Sequence, residues 1–191
     1  MLRRFLGGDE SGADAAATPG GPAAAAPAGS AAETATVRQI VARLETMPPA
    51  DARYLACFAY VMSRAAHADL SISDEETAVM ERFAAEYGGL DESQAVLVVG
   101  MAKLSAAAYG ATEDYVVTRE FKKISTMDQR LQLLRCCFAI SATDGTINAD
   151  EASVVNEIAK ELDIERPQLN AVRDEFHDQL SSVQALRQVG G

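Results

Sequence analysis

The sequence predicts an all-α protein, a compact bundle of about seven to eight helices with two pseudo-symmetric helical hairpins, preceded by a disordered Ala/Gly/Pro tail. Three observations carry this. Beyond about residue 34, apolar residues recur at helical spacing, and β-branched runs bounded by turns are missing. Residues 11–32 hold eleven Ala, four Gly and three Pro, 18 of 22 positions, a composition that cannot build a core. A helix, an acidic turn and a second helix occur twice, 75 residues apart.

The elements follow in order. Residues 1–6 form a short amphipathic start, residues 7–33 a linker and residues 34–191 the helical domain. Val37, Ile40, Val41 and Leu44 mark a first amphipathic helix that Pro48-Pro49 ends. A second runs from about Asp51 to His67. A third starts near Ser73 and stops at Gly88-Gly89. A fourth runs from Asp91 through Leu104 to Gly110, and Thr112 caps a fifth that ends near Ser125. A sixth covers about Asp128 to Thr143, and a seventh about Ala149 to Leu162. The eighth opens at Arg166-Pro167, with Pro at a tolerated first-turn position, and holds Leu169, Val172, Phe176 and Leu180.

The composition excludes several classes of function. The chain has 191 residues and a net charge of −11, so it lacks the clustered Lys and Arg that neutralise phosphates, and no nucleic-acid partner is expected. No apolar run is long enough to span a membrane. Met1-Leu-Arg-Arg-Phe-Leu6 breaks at Gly7-Gly8 without an apolar continuation, so it does not read as a secretory signal. Those six residues could touch a membrane surface, a reading that stays open, but they bury too little to hold there alone. Cys57, Cys136 and Cys137 fit neither a disulfide framework nor a zinc site and read as buried thiols in a reducing compartment. No Ser/His/Asp order, phosphate loop or HExxH occurs, so no catalytic residue and no enzyme is expected.

The repeat is the most informative feature. Residues 69–87 and 144–162 share six identities at a shift of 75, and their apolar positions agree almost throughout. Asp69 and Asp144 stand where the first helix of each copy ends. Gly145 supplies a position free to take positive φ, where the first copy has Leu70. Ile72 and Ile147 can staple the following helix. Ser73 and Asn148 are good N-caps, with Glu76 and Glu151 three residues later in capping-box positions. Capping and the helix dipole by themselves account for both Glu and for the acidic first turns. Paired hairpins would instead bring Asp69, Glu76, Asp144 and Glu151 together as four carboxylates, which repel unless a cation bridges them. Oxygen ligands of that kind suit Ca²⁺, Mg²⁺ or Mn²⁺. The turn is not an EF-hand, since Ala149 and Val155 occupy the places of its Gly and final Glu. Both readings stay open at this point.

The pattern Ala-x-x-Asp-Gly-x-Ile-x-x-x-Glu resembles the TerB-like tellurite-resistance family, whose helical fold is shared with the N-terminal region of the DjlA membrane co-chaperone. It stands here as Ala66-His-Ala-Asp69-Leu-Ser-Ile72…Glu76 and as Ser141-Ala-Thr-Asp144-Gly145-Thr-Ile147…Glu151. The likeness spans about residues 50–180. It implies a compact helical bundle, a cytoplasmic stress-response protein, and a divalent-cation site on Asp69, Glu76, Asp144 and Glu151. It also implies protein partners, in a complex associated with the inner membrane. The alternative is an interaction scaffold or adaptor whose acidic turns are only helix caps.

Other residues read more plainly. His67 lies two residues before Asp69 and has no counterpart in the second copy, where Ala142 stands. His177 sits among acidic residues on a solvated face. Arg119, Lys122 and Lys123 form one small basic cluster that can meet an acidic partner or a lipid headgroup.

Overall fold

A computed structural model of the chain describes residues 28–66, 74–106 and 114–189. The described residues form nine α-helices and one short 3₁₀ turn: α1 Ala28–Glu45, α2 Pro49–Ala65, α3 Asp74–Glu86, α4 Glu92–Ala106, α5 Asp114–Ile124, α6 Met127–Ser141, α7 Ala149–Glu161, α8 Arg166–Glu175, the 3₁₀ turn His177–Gln179, and α9 Ser181–Val189. The protein is all-α, as its periodicity predicts.

Two expectations are corrected. Helix α1 begins at Ala28, inside the stretch read as linker, because Ala is the strongest helix former and no Pro follows until Pro48. The eighth helix does not continue to Leu180. It stops at Glu175, Phe176 leaves helical geometry at φ −113°, and a separate α9 follows Leu180. No Gly or Pro marks this break. It is imposed by tertiary pairing of residues 179–181 with the turn before α7.

The helix ends show why the boundaries fall where they do. Pro48-Pro49 opens α2, where a missing N–H costs nothing. Thr126 and Gln129 cap α6 reciprocally, and Asp91 and Gln94 do the same before α4. Helix α3 ends at the Gly88-Gly89 stop: a side chain at Gly88 would collide with the Ala84 carbonyl and the Phe58 ring, and Gly89 has φ +65°. Helix α7 closes with the paired carbonyl bonds of a Schellman end, Ile164 N to Ala159 O (2.9 Å) and Asp163 N to Lys160 O (3.2 Å). Asp163 takes the left-handed position, φ 53°, that Gly usually fills. Its carboxyl is held below the usual range by the hydrogen bond and charge of Lys122.

Helix α2 lies at the centre. It packs against α4, α5, α6 and α7, and eleven of its residues are buried, including the consecutive run Cys57–Ala65. The copies of the repeat cross over each other: α2 packs on α6, α7 on α2, and α3 on α6. Helices α3 and α7 are both 13 residues long and start 75 positions apart. Phe58, Phe121, Leu133, Leu134 and Phe138 fill the shared core at 0% exposure.

Candidate functional site

The second acidic turn is built by α6 and α7. Helix α6 ends at Ser141, and Gly145 N then donates to Ala142 O at 2.9 Å to start the turn. The Asp144 side chain folds back so that Oδ1 accepts from Thr146 N at 2.9 Å, an Asx turn. Gly145 has φ +89° with nothing within 4 Å of where a Cβ would sit, so Gly is needed there for backbone freedom and not for space. Asn148 Oδ1 accepts from Asp150 N (2.9 Å) and Glu151 N (3.0 Å), and Glu151 Oε2 accepts from Asn148 N at 2.8 Å. The expected capping box is complete.

This geometry leaves each carboxylate half engaged. One oxygen of Asp144 and one of Glu151 hold backbone N–H groups, and the second oxygen of each makes no hydrogen bond among the described residues. Asp144 is exposed and Glu151 half-buried. Of the other two expected ligands, Asp69 lies outside the described residues, as do His67 and Ser73. Glu76 stands in the first turn of α3 by its backbone. Among the described residues, no three His, Cys, Asp or Glu converge to hold a metal.

Because the cap satisfies two N–H groups, Asn148→Ala is expected to lower stability by about 1 kcal/mol, within a range of about 0.5–2 kcal/mol. Urea denaturation of the variant checks this.

Ile147 does more than the expected staple. It is 1% exposed, and its backbone is gripped from the far end of the chain. Ile147 N donates to Gln179 O at 2.7 Å, and Ser181 N donates to Ile147 O at 3.0 Å, a single parallel bridge with Leu180 between them. The Gln184 side chain completes the grip. Its Nε2 donates to the Gly145 and Asp178 carbonyls (3.0 and 3.1 Å), and its Oε1 accepts from the Thr146 hydroxyl (3.0 Å). Nothing in the sequence pattern singles out Gln179, Ser181 or Gln184, since no local rule links them to a turn more than 30 residues upstream.

All three cysteines are free and buried. Burial pushes the Cys57 thiol up to about 11 and the Cys137 thiol up to about 12, and Cys136 well above its usual value, so none is a ready thiolate near neutral pH. In the basic cluster, Lys122 pairs with Asp163 at 2.8 Å and Lys123 with Glu120 at 3.3 Å, while Arg119 lies over the Tyr115 ring. Two of the three charges are thus paired with carboxylates. A cleft of about 420 Å³ lies where α2, α4 and α6 begin. Its Gln94 and Gln129 are spent on capping boxes and its Arg53 on Glu120.

The comparisons with known proteins enter here. No curated protein and no solved structure matches the chain significantly. The family model described as tellurite resistance protein TerB matches residues 54–174. That span covers more than half of the chain. It takes in both copies of the repeat and both acidic turns, and it leaves out α1 and the segment that grips Ile147. With this match and a helical fold on both acidic repeats, the chain belongs to the TerB family of tellurite-resistance proteins.

Proposed function

We propose that this TerB-family module binds a divalent cation, Ca²⁺, Mg²⁺ or Mn²⁺, through Asp69, Glu76, Asp144 and Glu151, as a non-catalytic component of a cytoplasmic tellurite or stress-response system. The observation that carries the reading is the arrangement of Asp144 and Glu151. Each is fixed by one oxygen on a backbone N–H and keeps the other for a ligand. Preorganised carboxylate oxygens on a stiff turn are what a hard cation needs. Three free cysteines support a reducing compartment. Among the described residues no helix is long and apolar enough to cross a membrane, and the reading includes protein partners at the inner membrane. Exposed Val96, Tyr115, Val116 and Leu186 offer such partners apolar contacts.

One observation favours a second reading, an adaptor whose acidic turns are caps: the Asn148–Glu151 box is closed and satisfied without any ion. Titration calorimetry separates the two. The variant is Asp144→Asn/Glu151→Gln, which removes both charges but keeps an oxygen for each backbone N–H, since Gln also serves a capping box. On the cation reading, the wild-type chain binds at least one of the three ions saturably, and the variant binds it at least about tenfold more weakly, about 1.4 kcal/mol. An unchanged melting temperature in the variant assigns that loss to the ion and not to the fold. No binding by the wild-type chain, or equal binding by the variant, overturns the cation reading in favour of the adaptor.

A further inference from the structure

We propose that residues 177–189 are a latch, pinned by Gln184 on the acidic turn, that undocks as one unit far more easily than the domain unfolds. The anchor, the hinge and the pin are all visible. Phe176 is the anchor: it is 6% exposed and stacks on Phe138 at 5.5 Å between ring centroids, with Tyr87 at 6.0 Å. The hinge follows at once, where α8 gives way to the 3₁₀ turn. Beyond it the holding contacts are polar and concentrated on one short stretch of backbone. They include the two Ile147 hydrogen bonds and two made by the Gln184 amide, to the Gly145 carbonyl and from the Thr146 hydroxyl, while its bond to the Asp178 carbonyl lies within the latch itself.

Apolar burial contributes little to the docked state. No residue from His177 to Leu186 is fully buried, and Leu186 is 74% exposed. Leu180 is the main apolar contact with the core, and α9 packs chiefly on the 3₁₀ turn of its own segment. Docking also carries a cost, since Gln179 Oε1 is buried without a hydrogen-bond partner and would regain water on opening. Few buried apolar contacts and backbone bonds near solvent define the low-stability end of a fold.

The consequence falls on the turn. The docked latch occupies the Gly145 carbonyl and both polar groups of the Ile147 backbone. Opening frees all three beside Asp144. A ligand that needs the Ile147 N–H binds only the open form, so latch docking is subtracted from its affinity. The latch goes beyond cation binding and does not depend on it.

Amide hydrogen exchange on the full chain, without divalent ions, tests it. The Ile147 and Ser181 amides, which donate across the latch in opposite directions, are expected to share one opening rate ratio, and to exchange faster than Leu134 and Ile158. Gln184→Ala is expected to speed both by about tenfold and leave the core amides unchanged, given the usual net worth of a hydrogen bond. Gln184→Glu keeps the acceptor for Thr146 but loses both donors, so it should also speed both. Three results would overturn the proposal: Ile147 and Ser181 exchanging as slowly as the core, no acceleration in either variant, or equal acceleration of the core amides.

Discussion

Replacing Arg64 by alanine lowers the stability of the protein by about 3–5 kcal/mol, the cost of leaving one partner of a buried ion pair behind. The Arg64 side chain is 9% exposed and lies in α2, within the core. Its guanidinium reaches across the repeat. Nη1 lies 2.7 Å from Glu161 Oε2 and donates to the Thr118 hydroxyl at 2.8 Å, and Nη2 lies 3.3 Å from Glu161 Oε1. One side chain thus ties α2 to α5 and α7. Removing it leaves the Glu161 carboxylate, 18% exposed, without its guanidinium partner. The same substitution takes away a positive charge that holds the Cys137 thiol down against the effect of burial. Urea denaturation measures the loss. The double variant Arg64→Met/Glu161→Leu should recover most of it, because an apolar pair of similar volume replaces a desolvated ionic one. A single variant within about 1 kcal/mol of wild type would show that the pair is solvated in solution, as exposed pairs are.

Phe58→Ala is expected to cost about 3–5 kcal/mol as well, by a different route. Phe58 is 0% exposed, and its ring sits against Tyr54 (6.0 Å) and edge-on to Phe121 (6.1 Å). Its tip also meets the Gly88 turn, which has no Cβ there. Deleting the ring opens a cavity at the junction of α2, α5 and the α3–α4 turn. Phe58→Leu keeps most of the volume and should keep most of the stability. Against a typical total of about 5–15 kcal/mol, either alanine variant removes a large fraction of what holds the domain folded.

What the sequence made legible was local. Helical periodicity located the helices from Val37 to Val172, and the Ser/Thr/Asn-x-x-Glu/Gln grammar placed the Asn148–Glu151 cap that the structure completes. The repeat was legible because both copies keep their apolar register, and the crossed packing of α3 and α7 follows from that duplication. What stayed hidden depends on residues far apart in the chain. Arg64 meets Glu161 across 97 positions, and in sequence it is simply a charged residue near a helix end. The break after Phe176 carries no Gly or Pro, because pairing with Ile147 causes it. The alanines from Ala28 read as tail, since low complexity says nothing about whether a neighbouring helix will extend into them. Of the candidate site, Asp144 and Glu151 stand where the turn grammar puts them, whereas Asp69 lies outside the described residues.

On the proposed reading, those four acidic residues turn the duplicated pattern into a cation site. Crystals grown with Mn²⁺ and measured for its anomalous signal give the most direct test. The expected result is a Mn²⁺ peak within about 2.6 Å of carboxylate oxygens of Asp144 and Glu151, with Asp69 and Glu76 completing the shell. A closed Asn148–Glu151 cap with no Mn²⁺ peak at either turn would contradict it.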